Sequence, residues 1–336
     1  MMPDPGENIA IVAIGRNEGE RLKSCLRSVL NRARTVVYVD SGSVDGSPQY
    51  AASVNCRVVQ LDPLRPFSAA RARNEGFACV MDHAPDVPFI QFLDGDCDLV
   101  EGWLEQGAST LTHREDVGVV CGHVRELHPQ ATIYNRVCDL DWQQAPGEVR
   151  SSGGRFMVRA DVFRAVGGFR PEVIAAEDDE FCVRVRHLGC KILQIDTEMA
   201  RHDIAMTRFS EWWRRSKRTG HAFAQVAALH GASPERYFVR DCQRIWLWAL
   251  VLPVLALCLA PFTQGFSMLI LFCAYALQFA RSCYRGRTRG WRTGDALLYS
   301  FFTMLFKFPA LLGLIEYYWR DWRGHAFKII EYKRSS

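Results

Sequence analysis

From Ile9 to about Leu111, short apolar runs alternate with stretches of helical period, a pattern that predicts βαβ units and a parallel sheet. Candidate strands are Ile9 to Ile14, Val36 to Val39, Arg57 to Leu61 and Phe89 to Leu93, each closed by Gly, Asn, Asp or Pro as buried strands are. Helices are expected over Glu20 to Leu30, Pro48 to Ser53 and Ser68 to Met81. Leu22, Leu26, Val29 and Leu30 fall on one face of the first. From Val117 to His202 strands and helices mix less regularly, and neither an internal repeat nor a low-complexity linker interrupts the chain.

After Arg244 the pattern changes. IWLWALVLPVLALCLAPF and, past Thr263, Gln264 and Gly265, FSMLILFCAYALQFA carry no charge, and each approaches the roughly 20 residues that cross a bilayer core. The break between them suits a tight turn, which predicts a membrane hairpin over about 245–280. A buried hairpin of a soluble protein is the alternative. Arg236, Arg240 and Arg244 precede the hairpin and Arg281, Arg285, Arg287, Arg289 and Arg292 follow it, which places both ends in the cytoplasm. A third apolar segment, about 296–315, holds Lys307 and Pro309. It either spans, leaving Lys328, Lys333 and Arg334 outside, or bends at Pro309 and lies in the interface with Trp319 and Trp322 at headgroup level, the arrangement expected here. The polar, acidic opening MMPDPGEN offers no secretory signal, so the N-terminal region is expected in the cytosol.

An apolar fraction of 49% supports a sizeable core, and a net charge of +4 is too small to imply nucleic-acid binding. The 12 cysteines form no CxxC pair or zinc-type spacing and read as reduced, structural thiols.

Candidate chemistry begins with Asp94-Gly95-Asp96, directly after FIQFL, with Asp98 beyond. Alternate residues of an extended chain point the same way, so Asp94 and Asp96 can converge on one hard cation, Mg²⁺ or Mn²⁺, holding a diphosphate. Solvated loop acids are the alternative. Glu177-Asp178-Asp179-Glu180 opens a predicted helix, where acids either complement the helix dipole or supply a general base near a sugar diphosphate. Farther on, His202 reads as a further metal ligand or as a structural histidine. Arg214, Arg215, Lys217 and Arg218 read as phosphate contacts or as a basic face on anionic lipid.

The ordered blocks VAIGRNEGERLKSCLRSVL, VVYVDSGSVDGS, SAARARNEGF, FLDGDCDL, GRFMVRADVFRAVGGF and AEDDEFCVRVRHLG, from Ile9 to about Phe223, resemble the family 2 glycosyltransferases. That resemblance implies a GT-A fold, Rossmann-like with a mostly parallel sheet, and an inverting one-step transfer from a UDP-, GDP- or dTDP-sugar. It implies Asp94 and Asp96 as metal and diphosphate ligands and Asp178 as catalytic base, with Asp179 its nearest rival. Ala13, Arg16 and Glu18 match the part that grips base and ribose, and Asp40 and Ser43 the part that recognises the base. Asp40 is equally a turn-forming acid before Gly42. Arg73 and Asn74 match the Ala-Arg-Asn block and can face the phosphates, or else share a solvated helix face with Arg71. Gly153 and Gly154 suit a close approach to the sugar or acceptor, or a plain turn. The Gln-x-x-Arg-Trp motif of processive cellulose- and hyaluronan-type relatives is missing, which argues against processive synthesis.

The expected architecture is α/β: a GT-A domain over residues 1–235, then a membrane-associated helical region over 236–336. The expected function is transfer of a sugar from a nucleotide-diphosphate donor to a hydroxyl acceptor, lipid-linked, in surface polysaccharide or glycolipid synthesis. The expected location is the cell (inner) membrane, with the catalytic part cytoplasmic. Transfer to polyprenyl phosphate, or a noncatalytic scaffold of a polysaccharide assembly complex, are the rival readings.

Overall fold

The structure, a computed structural model, describes residues 5–324 of the chain. Lys328, Lys333 and Arg334, on which the charge argument for the third apolar segment rests, lie outside the described residues, as does the start of MMPDPGEN. Two compact units divide the chain. One takes the residues up to His128 together with Trp142–Ala205, and the other takes Pro129–Asp141 and the described chain from Met206 onward. The division therefore falls near residue 205 rather than 235, and a short internal segment belongs to the second unit.

In the first half of the chain the elements run β1 (Ile9–Gly15), α1 (Glu20–Val29), β2 (Thr35–Asp40), α2 (Ser47–Ser53), β3 (Arg57–Gln60), α3 (Ala69–His83), β4 (Phe89–Asp94), β5 (Cys97–Leu99), α4 (Trp103–His113) and β6 (Val117–Glu126). There follow α5 (Ile133–Asp141), β7 (Gly147–Glu148), β8 (Phe156–Arg159), α6 (Ala160–Ala165), α7 (Glu177–His187) and β9 (Lys191–His202). The four expected strands and three expected helices are all present, within one or two residues of their expected ends.

The strands form one sheet in the order β3-β2-β1-β4-β8-β6-β9-β5, with β7 on β9. β1, β2, β3 and β4 are mutually parallel, and β8 runs antiparallel to both β4 and β6. β6 and β9 pair in parallel with three register shifts, and β5 pairs antiparallel with β9. Ile9, Ala10, Ile11, Val12 and Ala13 are all fully buried because helices cover both faces. α3 closes on the sheet at Gly76, where a Cβ would stand 2.3 Å from Val12 Cγ1. Behind β4 and β8, Phe92, Phe156, Phe163, Phe169 and Phe181 pack with centroids 4.8–5.7 Å apart in most pairs. Each such ring contributes about 1.5–3 kcal/mol by burial.

The second unit consists of α5 with α8 (Phe209–His230), α9 (Val239–Trp246), a π-helical turn (Leu247–Val251), α10 (Leu252–Leu259), α11 (Phe266–Thr288), α12 (Thr293–Leu305) and α13 (Lys307–Trp322). Pro253 has no N–H for the Ala249 carbonyl, which accounts for the local π turn. Val239–Leu259, Phe266–Thr288 and Thr293–Trp322 are each long and apolar enough to cross a membrane. The third is interrupted at Phe306, three residues ahead of Pro309, and its second part packs on α8 with almost no space between backbones. A Cβ on Gly220 would stand 2.0 Å from the Ala310 carbonyl oxygen, and one on Gly313 2.0 Å from that of Lys217. Ion pairs flank this crossing, Lys217 to Glu316 at 2.7 Å and Arg320 to Glu316 at 2.9 Å. α5 is tied in by Arg136, which grips Asp295 through two bonds of 2.8 and 2.6 Å.

Candidate active site

The strand order reverses between β1 and β4, since β2 and β3 follow to one side of β1 and β4 lies on the other. Crevices for ligands open outside the carboxyl ends of strands at such a point. Ile14 pairs with Asp94 there, and the Gly95 N–H donates to the Ile14 carbonyl at 2.7 Å. The end of β4 is thereby fixed to the end of β1.

Two loops at this edge interlock. The Asn17 N–H donates to Ser43 Oγ at 2.8 Å, the Val44 N–H donates to Asn17 Oδ1 at 2.9 Å, and the Gly19 N–H donates to Asp45 Oδ2 at 2.8 Å. Asp40 is buried and accepts from the Tyr38 hydroxyl and from the N–H groups of Gly42 and Ser43. The turn-forming role weighed for it is present in full, with Gly42 at φ 84°. Ala13 is buried in β1, Arg16 stands over the Phe67 ring at 5.5 Å, and Glu18 pairs with Arg21 at 2.7 Å. Asn17 and Asp45, which hold these loops together, carry no sequence signal because their partners lie 26 or 27 residues away.

The acidic residues gather around two guanidiniums. Arg73, delivered by α3, donates to Glu177 at 2.6 Å, to Asp94 Oδ1 at 2.9 Å and to the Gly154 carbonyl at 3.1 Å, and stands over the Phe169 ring. Arg155 donates to Asp94 Oδ2 at 3.1 Å and faces the Trp142 ring at 5.6 Å. Trp142 in turn packs on the His202 ring, centroids 4.8 Å apart, and His202 Nε2 lies 3.0 Å from Asp96 Oδ2. That last meeting follows from the sheet, where Cys97 pairs with His202 across β5 and β9. Asp178 accepts from the Ser151 hydroxyl at 3.1 Å. Burial first, and then the neighbouring Glu177 charge, holds its carboxyl above the ordinary range, although Arg73, Ser151 and Arg155 pull the other way.

The carboxylates of Asp94, Asp96, Glu177 and Asp178 outnumber the guanidiniums of Arg73 and Arg155 by two, an imbalance a divalent cation would cancel. Asp96, Cys97 and His202 bring three potential ligand atoms within 4.8 Å of one another, all on buried residues. Burial pushes the Cys97 thiol well above its usual range, and the oxygen of Asp96 and nitrogen of His202 are the harder donors of the set. Such a set fits Mn²⁺ better than Mg²⁺, which prefers oxygen alone.

Several expected residues are placed differently from their first reading. Asp94 and Asp96 take separate partners rather than facing one point, the arginines and His202 respectively. Asp98 turns to α1, where Ser24 donates to it at 2.8 Å. Asn74 clasps the Phe169 backbone through both ends of its amide, at 2.8 Å each, and braces a turn instead of facing phosphates. Arg71 and Arg73 are both buried, so the solvated face considered for them does not exist. Gly153 and Gly154 both adopt positive φ, and a Cβ on Gly154 would come within 3.4 Å of Arg73 Nη2. Asp179 is half-buried beside Asp178, whereas Glu180 is fully buried and paired with Arg184 and Arg170. Arg214, Arg215, Lys217 and Arg218 lie on α8, in the other compact unit. Arg155 went unremarked in the sequence, although it sits between the two glycines and FMVR.

A mixed sheet with parallel strands β1 to β4 and acids at its carboxyl edge is the GT-A arrangement. Residues 10–151 match the glycosyl transferase family 2 model. Glycosyltransferase AglE of Haloferax volcanii is 25% identical over 256 residues, 72% of this chain and 80% of that protein. A pre-mycofactocin glycosyltransferase of Mycobacterium tuberculosis is 28% identical over 240 residues, 66% of this chain but only 48% of that protein, about half its length. The solved mannosyltransferase PcManGT of Pyrobaculum calidifontis, in complex with GDP-Man and Mn²⁺, superposes with a TM-score of 0.61 at 16% identity, over 96% of this chain and 90% of that one. This likeness concerns the fold.

Proposed function

We propose that the protein moves one sugar from a nucleotide-diphosphate donor to a hydroxyl of a lipid-linked acceptor, with inversion and dependence on a divalent metal, in surface polysaccharide or glycolipid synthesis. The observation that carries this reading is the cluster of Asp94, Asp96, Glu177 and Asp178 around Arg73, Arg155 and His202 at the switch point of the sheet. The match of residues 10–151 to the family model supports the reaction class.

In this reading the nucleoside lies along Ala13, Arg16 and Glu18 and against the Asp40 to Ser43 turn, whose rigidity comes from the Asn17 and Asp45 bonds. Asp96 and His202, with Asp94 beside them, would hold Mn²⁺ or Mg²⁺, which supplies neutralisation of the diphosphate as it departs. Asp178 takes the proton of the acceptor hydroxyl as its oxygen attacks the anomeric carbon and the bond to the diphosphate breaks. Ser151 orients that carboxylate, and its raised pKa strengthens it as a base. The two compact units divide the work, the first catalytic and the second held in the inner membrane with the catalytic part cytoplasmic. The packing of α13 on the charged helix α8 favours an interfacial place for the third apolar segment over a full crossing.

The test is transfer by detergent-solubilised protein to a membrane-lipid acceptor extract. Asp178→Asn should lower transfer by about 10²- to 10⁴-fold, the usual worth of a general base. Transfer that survives Asp178→Asn and goes only to polyprenyl phosphate, whose oxygen is already anionic, would replace this reading with that of a polyprenyl-phosphate glycosyltransferase.

A further inference from the structure

The second compact unit contains a cavity of about 480 Å³ lined by Arg244, Arg281, Arg285, Arg289 and Lys307. Asp241 is the one acid among its lining residues, 3.9 Å from Arg244. Among the described residues no acid pairs with Arg281, Arg285, Arg289 or Lys307; Lys307 Nζ donates to the Thr303 carbonyl at 3.2 Å and Arg289 stands over the Trp291 ring at 5.7 Å. Cations gathered around one void repel each other unless an anion lies among them. The rest of the lining mixes polar Gln278, Ser282 and Thr303 with an apolar and aromatic part that includes Ile245, Trp248, Trp291 and Met304.

The position of this cavity says which kind of anion. Arg244 stands directly before the uncharged run 245–259, Arg281 directly after the uncharged run 266–280, and Arg285 one helical turn farther. The connection between α10 and α11 at Ala260–Gly265 turns the chain back, so both basic ends lie at the end of the hairpin opposite that turn. Tyr275 confirms the pairing of the arms by donating to the Trp248 carbonyl. Arginines that bound an uncharged run of about 22 Å of helix sit at its polar end, where their long side chains reach the level of lipid phosphates. Leu255, Leu257, Ile270 and Phe272 are exposed along the arms, as lipid-facing residues are.

We propose that this cavity seats the phosphate or diphosphate head of an anionic membrane lipid, its cations bonding the phosphate oxygens while the apolar wall takes the start of the lipid chain. The assignment rests on reading this unit as membrane-embedded and the acceptor as lipid-linked. The phosphate could belong to a polyprenyl carrier or to a bulk phospholipid, and competition between the two distinguishes the sources.

The experiment measures binding of polyprenyl phosphate, neutral polyprenol and phosphatidylglycerol to the full chain in a neutral detergent. Polyprenyl phosphate should bind at least about tenfold more tightly than polyprenol, the worth of one or more charge-assisted hydrogen bonds. Arg281→Ala with Arg285→Ala should lose about tenfold or more, the corresponding lysine pair should retain most binding, and Arg240→Ala, outside the cavity, should change nothing. Effective competition by phosphatidylglycerol would identify a bulk phospholipid as the occupant; its failure would identify the polyprenyl carrier. Equal binding of polyprenol, or full binding by the double alanine variant, would overturn the proposal. Flotation with vesicles separates the underlying reading: protein that floats yet binds no lipid phosphate refutes only the cavity assignment, and protein that does not float refutes the membrane reading too.

Discussion

Replacing Arg73 with methionine keeps an apolar stem of similar length and deletes the cation that holds the acidic cluster together. Glu177 is buried and its bond to Arg73 is 2.6 Å, with side-chain exposures of 3% for Arg73 and 10% for Glu177. Stranding a carboxylate this deeply costs about 3 kcal/mol, the low end for breaking a buried pair. Asp94 loses less, under about 1 kcal/mol, because it is 27% exposed and keeps Arg155. Loss of the bond to the uncharged Gly154 carbonyl adds about 1 kcal/mol. The total, about 4–5 kcal/mol, corresponds to a fall in Tm of roughly 8–20 °C for a unit of this size. Thermal unfolding of the purified chain in detergent, followed by tryptophan fluorescence, is the assay. Adding Glu177→Leu removes the stranded charge, so the double variant should recover more than half of the lost Tm. A fall of less than about 2 °C for Arg73→Met, or a double variant that is worse by the sum of its parts, would refute the argument that this pair is buried and interdependent.

Three further outcomes follow from proton equilibria. Asp178 has a folded pKa above its unfolded value, so its ionised form costs stability as pH rises through that range, while below the unfolded value it costs nothing. Asp178→Asn should therefore raise Tm at neutral pH and lose that gain in acid; an equal effect at both pH values would count against the burial. Glu177→Gln removes a charge that holds the Asp178 pKa up, so the acid limb of kcat/KM should move to lower pH, and a limb that stays in place would separate Asp178 from the base. His221 on α8, against Tyr317, has its pKa pushed down to about 4 by burial. It contributes stability above its unfolded pKa that is lost as pH falls from about 6.5 towards 4, by up to about 3 kcal/mol. His221→Phe should flatten that acid dependence of Tm, and an unchanged slope would contradict it.

The parallel half of the sheet was legible because β1, β2 and β4 are buried on both faces and so read as largely apolar runs. From Val117 on, legibility failed for a physical reason. β8 reverses direction, and β6 and β9 pair through three register shifts, so neither period nor order marks the partners. Asp94, Asp96 and Asp178 were nameable from local motifs, and His202 from its position alone. Arg155 was not, since one arginine among 41 basic residues gains meaning only when β8 brings it to Asp94. The Asn74 amide could not be assigned either, because its partner Phe169 lies 95 residues away. Likewise 129–141 carries no mark of its place with the second unit until Arg136 meets Asp295. Near the third apolar segment, Pro309 signalled an interruption, while the helix breaks at Phe306.

The central claim is metal-dependent donor use by the acidic cluster, and nucleotide release tests it most directly. Purified protein is given UDP-, GDP- and dTDP-sugars with Mn²⁺, Mg²⁺ or chelator, alongside Asp96→Asn and His202→Gln. The account predicts turnover of one donor, stronger with Mn²⁺, abolished by chelation and at least about tenfold weaker in both variants at limiting metal. Full turnover in chelator, or variants that respond to metal as the parent does, would contradict it.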